Sequence, residues 1–192
     1  MEDLRLEIEH YAATDIATEW DEFSARVILG EAQKRAVIYP QTAVCNRVIY
    51  ITEGVTASVY NEAGDRLIIS RFFQPGNFCS NLISANSSAV QSDSVVAITK
   101  VKYIEFSYDY FMQLYFHSNA IGVFLRKKIL DHLIAAKHVI SVKTSASTEK
   151  HYRFLENHYP EVIRQTPSKY IAAFIGITPE ALSRFLKQRH SS

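Results

Sequence analysis

The chain has 192 residues, 47% hydrophobic and 21% charged, which is ordinary for a globular protein and enough for one large domain or a medium one with a small companion. No apolar run approaches the roughly 18 residues that span a bilayer, and the charged start MEDLRLEIEHY lacks the basic-then-apolar order of a leader, so a cytoplasmic protein without a membrane partner is expected. The net charge of +1 conceals a division: residues 1–100 carry 8 Lys/Arg against 13 Asp/Glu, residues 101–192 carry 13 against 7, and the second half is the one to weigh against a polyanion.

Taken in order, residues 15–29 (DIATEWDEFSARVIL) predict a helix, with Asp15 placed to cap it and Ile16, Trp20, Phe23 and Val27 at helical spacing. From 35 to 105 the runs AVIY, RVIYI, VTASVY, RLIISRFF, SVVAITKV and YIEF read as short strands separated by turn signals. VTASVYNEAGDRLIISRFF is the clearest hairpin, with Gly64 free to take a positive φ in its loop. Strands this closely spaced predict a small barrel, roll or sandwich. The two cysteines, Cys45 and Cys79, form no CxxC pair or metal cluster and read as small buried hydrophobes; two cannot ligate a four-cysteine iron–sulfur sensor.

After residue 106 the pattern is helical. Residues 107–117 predict a short aromatic helix capped by Ser107, and 118–143 one long helix starting at Ser118 or Asn119. Ile121, Leu125, Ile129, Leu133, Ala136 and Ile140 form a stripe, with Phe124, Leu130, Ile134 and Val139 off it. A helix apolar on more than one side needs more than one cover, so one side is expected on the β unit and the stripe on a second copy of the chain; a fully internal core helix is the alternative. TSAST, 144–148, reads as a hinge, and Ser147 or Thr148 opens a helix to 158.

The end of the chain predicts two more helices. Thr166-Pro167 starts the first, Ile175-Gly176-Ile177 is a turn with Gly176 in the left-handed conformation, and Thr178-Pro179-Glu180 starts the second. Leu182, Phe185 and Leu186 face inward, which leaves Glu180, Ser183, Arg184 and Lys187 on the outer face. Two helices, a glycine turn and a polar, basic outer face fit a DNA-binding helix-turn-helix, in which Arg pairs with guanine and Glu accepts from cytosine. The spacing alone also allows, as the second reading, a helical hairpin with a solvated face. No P-loop, nucleophile elbow or HExxH occurs, no enzyme is expected, and no cofactor is called for; His117, His132 and His138 read as surface or interface residues rather than haem ligands.

QTPSKYIAAFIGITPEALSRFLKQ resembles the helix-turn-helix of the Crp–Fnr family of bacterial transcription regulators, in particular a subgroup with the run P-x-x-Y-I-A-x-x-L-G-I-T-P-E-x-L-S-R. The match falls on Pro167, Tyr170, Ile171, Ala172, Gly176, Ile177, Thr178, Pro179, Glu180, Leu182, Ser183 and Arg184. HYRFLENHYPEVIRQTP is similar to the subgroup's lead-in, and YITEGVTASVYNEAGDRLIISRFFQPGNF more weakly to the family's roll. The resemblance implies an α+β chain: an antiparallel cyclic-nucleotide-type β-roll over 1–117, a long dimerisation helix over 118–143 and a DNA reader over 144–192. It implies that Glu180 and Arg184 touch base edges, with Thr178, Ser183 and Lys187 beside them and Lys169 on a phosphate. It further implies double-stranded DNA and a second copy as partners, with RNA polymerase and a small-molecule effector as further candidates.

Two departures qualify this. The stretch 76–100, where the family holds a cyclic-nucleotide phosphate with acid and arginine, has no Lys or Arg before Lys100 and has Asn77 near the acid's place, so cAMP is not the expected ligand. Asn77, Ser80, Ser84, Asn86, Ser87, Ser88 and Gln91 are candidates for a neutral polar effector pocket, against a reading as a solvated loop. The six residues after Leu186 also leave no room for a β-hairpin wing, so Lys169, Lys187 and Arg189, with helix N-termini, are expected to supply most of the phosphate contacts, with Arg126-Lys127-Lys128 too far away to help. A roll that acts as an interaction or small-molecule receptor module without DNA binding is the alternative.

Overall fold

The computed structural model describes residues 1–41, 46–62, 66–79, 93–144 and 147–190. Helix α1 (Glu2–Ala12) is anchored by Leu4 and Ile8, one turn apart and buried on an otherwise charged segment. In α2 (Ala17–Arg26) Trp20 and Phe23 are the buried anchors, and the Asp15 carboxylate accepts from the Ala17 N–H just ahead of it. The helix expected over 15–29 stops early: Val27 is extended and Ile28–Ala32 forms strand β1, because pairing with a distant strand outweighs the local helical spacing.

Seven further strands follow: β2 (Val37–Tyr39), β3 (Arg47–Glu53), β4 (Thr56–Glu62), β5 (Arg66–Phe73), β6 (Phe78–Cys79), β7 (Ser94–Ala97) and β8 (Val101–Ser107). They make two four-stranded antiparallel sheets, ordered β1-β8-β3-β6 and β2-β7-β4-β5. RVIYI reads as a run rather than an alternation because β3 is covered on both faces: Ile49 and Ile51 enter the core between the sheets with Ile38, Phe73, Cys79 and Val95, while Val48 and Tyr50 face the helices. SVVAITKV is two strands, not one, divided at Ile98–Lys100. The tip of the β4–β5 hairpin, with Gly64, and Cys45 lie outside the described residues.

Ser107 caps α3 (Tyr108–His117) by accepting from the Tyr110 N–H at 3.2 Å, as the sequence predicts. Helix α4 (Ala120–Lys143) starts behind Asn119, within the expected Ser118–Asn119 pair, although Asn119 makes no side-chain cap. The Glu19 carboxylate of α2 accepts from the Ser118 hydroxyl at 2.6 Å and from the Ala120 and Ile121 N–H groups at 3.4 and 3.3 Å, and Ser118 Oγ accepts from the Gly122 N–H. A carboxylate at a helix N-terminus also meets the positive end of the dipole.

The stripe on α4 divides between two environments. Steps of four residues advance about 40° around a helix of 3.6 residues per turn, so Leu133 lies about 120° from Ile121. Ile121, Phe124 and Leu125 are therefore buried against α1–α3 and the first sheet, whereas Val123, Leu130, Leu133, Ile134 and Ile140 are exposed, at 42–65%.

Four helices complete the chain: α5 (Thr148–His158), α6 (Pro160–Gln165), α7 (Ser168–Ile175) and α8 (Pro179–His190). They share one apolar cluster with the outer face of the second sheet, running from Val55, Ala57, Ile69 and Phe72 to Leu155, Val162, Ile171, Phe174 and Leu182. Phe174 lies 5.5 Å from the Phe72 ring and stacks on Phe154 at 6.4 Å, with Lys143 Nζ 4.5 Å from its ring centre. Lys143 also donates to the Ile69 carbonyl at 2.7 Å, and Gln74 Nε2 to the His158 carbonyl at 3.0 Å.

Burial raises the Glu19 pKa, but the Ser118 hydroxyl and the N–H groups at the start of α4 outweigh it and leave the carboxyl below its ordinary value. Its contribution is thus complete above the unfolded carboxylate range and is lost as pH falls through the folded value. Glu19→Gln is expected to lower stability at pH 7 by about 1 kcal/mol in urea titration and to flatten the acid limb of the stability profile; equal stability of both proteins at pH 7 would contradict this cap.

Candidate nucleic-acid interface

The α7–turn–α8 unit is built by its capping residues. Gly176 ends α7 at φ 88°, and its N–H and that of Ile177 both donate to the Ala172 carbonyl, at 2.8 and 3.0 Å. Thr178 opens α8: its hydroxyl accepts from the Ala181 N–H at 3.2 Å and its carbonyl from the Leu182 N–H at 3.0 Å. The expected Thr166 cap on α7 is not formed. Pro167 stands at that place, and Thr166 instead ends α6, buried with its hydroxyl oxygen lacking a partner.

Leu182 is fully buried, and Phe185 and Leu186 are half-buried against the same cluster, so α8 is pinned by one face. The opposite face carries Glu180, Ser183, Arg184 and Lys187 at i, i+3, i+4 and i+7, all exposed, with Thr178 exposed at its start. Hydrogen bonds from its own N–H and from Thr178, then the charge of Arg184, hold the Glu180 carboxyl below its ordinary value, so this face presents an anion at its N-terminal end and cations beyond. Lys169 is exposed near the start of α7, its Nζ 4.8 Å from the centre of the Tyr170 ring.

Other cations are committed internally. Arg189 makes two 2.7 Å bonds to the Glu156 carboxylate and covers the Tyr152 ring at 5.1 Å, which fastens α8 to α5. The guanidinium expected from the sequence to meet a phosphate is thus paired within the chain. Arg126, Lys127 and Lys128 are bonded to the Tyr115 carbonyl, Asp131 and Glu7 respectively.

In the roll, Asn77 is part of a turn: its side-chain oxygen accepts from the Gln74 N–H at 3.1 Å, and its carbonyl from the Ile51 N–H. Ser80, Ser84, Asn86, Ser87, Ser88 and Gln91 lie outside the described residues. Sequence reasoning also missed Arg71 on β5, the cation beside this turn, whose guanidinium contacts His132 of α4; nothing in its local pattern separates it from an ordinary exposed strand residue.

No protein-family model and no curated protein matches the chain by sequence. Solved structures do match. FixK2 from Bradyrhizobium japonicum aligns with a TM-score of 0.70 and 17% identity over 86% of this chain and 85% of that one. A cyclic nucleotide-binding domain containing protein from Listeria monocytogenes aligns at 0.69 and 15%, over 95% and 89%. TTHB099, a transcriptional regulator of the CRP family from Thermus thermophilus, aligns at 0.63 and 14%, over 84% of each. The chain has the Crp/Fnr fold. Along the chain the two sheets with α1–α3 come first, then the long helix α4, then the helices α5–α8.

A Cβ added at Gly176 would meet no heavy atom within 4 Å, so the cost of replacing it is conformational alone. Gly176→Ala is expected to destabilise by about 1–2 kcal/mol, the penalty of a left-handed alanine, read as a melting temperature about 2–8 °C lower, with Gly176→Asn losing less. An unchanged melting temperature for the alanine variant would contradict the turn.

Proposed function

We propose that this chain is a homodimeric transcription regulator that reads double-stranded DNA through α8. The observation that carries the reading is the outer face of α8, where Glu180, Ser183, Arg184 and Lys187 are exposed together on a helix whose inner face is fixed by Leu182. A helix held in this way can lie in the major groove, where Arg184 is placed for a guanine edge and Glu180 for a cytosine amino group. Lys169 and Lys187 serve the phosphates, and Ser183 and Thr178 add neutral hydrogen bonds.

Dimerisation rests on α4. Val123 and Leu130 are seven residues apart, as are Leu133 and Ile140, with Ile134 beside them; all five are exposed and lie on one side of the helix. Seven-residue spacing is that of a two-stranded coiled-coil seam, and a second α4 about a two-fold axis covers the face with its own copy. In this division residues 1–117 scaffold or sense, 118–143 pair and 144–192 read. The roll does not bind cAMP in this reading: the side-chain oxygen of Asn77 closes a turn, and 76–99 supplies no cation. RNA polymerase and a small effector are the further partners such a regulator would use.

Arg184→Ala is expected to weaken specific binding by about 1–3 kcal/mol and to relax preference at one base pair, whereas Lys187→Ala weakens specific and random duplexes alike and reduces the salt slope by about 1. Fluorescence anisotropy on a specific and a scrambled duplex separates the two, and an unaltered sequence preference in Arg184→Ala would refute its role. Sedimentation is expected to give twice the 21.9 kDa chain mass for the wild type and the single mass for Leu133→Glu/Ile140→Glu; a wild type that sediments as one chain at micromolar concentration would remove the seam.

A further inference from the structure

A second candidate site lies where the roll, α4 and α5 meet. A cavity of about 110 Å³ is lined there by Arg71, Gln74, Asn77, His138, His158 and Tyr159. At about 30 Å³ per water it has room for three or four waters or for one small oxyanion.

Arg71 gives the cavity its charge. One guanidinium nitrogen donates to His132 Nε2 at 2.5 Å, and the group covers the Phe73 ring at 5.2 Å. No carboxylate pairs with it among the described residues; the arginine ion pairs there belong to Arg5, Arg26, Arg47, Arg153, Arg164 and Arg189. Its Nε–H is buried without a partner, and so is the side-chain oxygen of Gln74, whose amide nitrogen is committed to the His158 carbonyl. Burying a charge without a counter-charge, or a polar atom without a partner, is costly.

The neighbours relieve this only in part: the Tyr159 phenol hydrogen-bonds the guanidinium and favours its charge, but brings no carboxylate to it. Burial and the adjacent Arg71 push His132 down to about 4, so at neutral pH its ring is an uncharged acceptor. Burial keeps the Tyr159 phenol protonated, with its pKa raised although Arg71 opposes the shift. Around the cavity, then, stand one uncompensated cation, imidazoles and an unused carbonyl oxygen. The cation calls for an anion, and the carbonyl oxygen for a donor on the same ligand.

We propose that this cavity binds a small oxyanion that carries its own hydrogen-bond donor, a hydrogen phosphate group or a short hydroxy acid. The guanidinium of Arg71 meets the anionic oxygens and the Gln74 oxygen accepts from the ligand's hydroxyl. Because β5, the turn at 74–77, α4 and α5 all contribute walls, the bound anion ties the roll to the C-terminal helices. The cation comes from β5 and not from the stretch 76–100.

The test is thermal unfolding and calorimetry of the full chain at pH 7 in phosphate, lactate or sulfate, each against chloride at equal ionic strength. Phosphate or lactate is expected to raise the melting temperature by about 3–6 °C at ten times its dissociation constant. A response to phosphate alone assigns a phosphate group and a response to lactate alone a carboxylate. Sulfate, which carries no donor at this pH, is expected to do less, and an equal sulfate effect would overturn the role of the Gln74 oxygen. Arg71→Gln is expected to abolish the response. His138→Glu, a change at an exposed residue on the rim, supplies an internal carboxylate and is expected to abolish it in a folded protein. No response to either phosphate or lactate, or an undiminished one in His138→Glu, overturns the proposal. No DNA enters the measurement, so its failure leaves the reading of α8 untouched.

Discussion

Ile69 and Phe72 leave the outer face of the second sheet apolar, and such a face must be covered. The terminal helices cover it. Phe174, set between Phe72 and Phe154, joins the first helix of the terminal pair to the roll, and much else follows from that placement. It makes the inner side of α7 a shared core, fixes α8 through Leu182, and brings the end of α4 against β5, where Lys143 reaches the Ile69 carbonyl. The glycine turn at 176 then acts within a packed unit and not in a free tail.

The same packing sorts the charges. Cations near the junctions are used inside the molecule: Arg189 on Glu156, Lys128 on Glu7, Lys143 on a carbonyl and a ring. These partly buried contacts fix where α8 and α4 lie. Arg184, Lys187 and Lys169 stand on exposed positions of the terminal pair. A basic second half in the composition thus becomes a smaller set of exposed cations on the two terminal helices. Arg71 is the exception among the buried ones, since it has gained a ring and a phenol for neighbours but no carboxylate.

How much of this was legible in the sequence varies by element, for physical reasons. The strand run RVIYI was legible because two-sided burial demands unbroken apolar residues, and the terminal pair because Gly176 and Thr178 each do one local job. Strand β1 was not, since Val27 continues the helical spacing of Phe23 and only the pairing of Ile28 with Glu105, remote in sequence, reveals the strand. Helix α1 has just two apolar anchors among its charges. On α4 the four-residue stripe was visible, but its drift around the helix separates Ile121 from Leu133, so the free face is centred on Leu130 and Leu133. In the candidate interface the outer residues of α8 were readable from their spacing. The commitment of Arg189 was not, because its partner Glu156 lies on another helix 33 residues away. Arg71 was equally hidden, since its surroundings come from β5, α4 and the residues after α5.

The central claim is that the face formed by Glu180, Ser183, Arg184 and Lys187 reads DNA as part of a two-fold pair. The most direct measurement is selection of bound sequences from a pool of random duplex DNA by the purified chain. The account predicts an enriched palindromic sequence with half-sites about one helical turn apart. Recovery of the pool without an enriched sequence would contradict it and leave a roll module that acts through other partners.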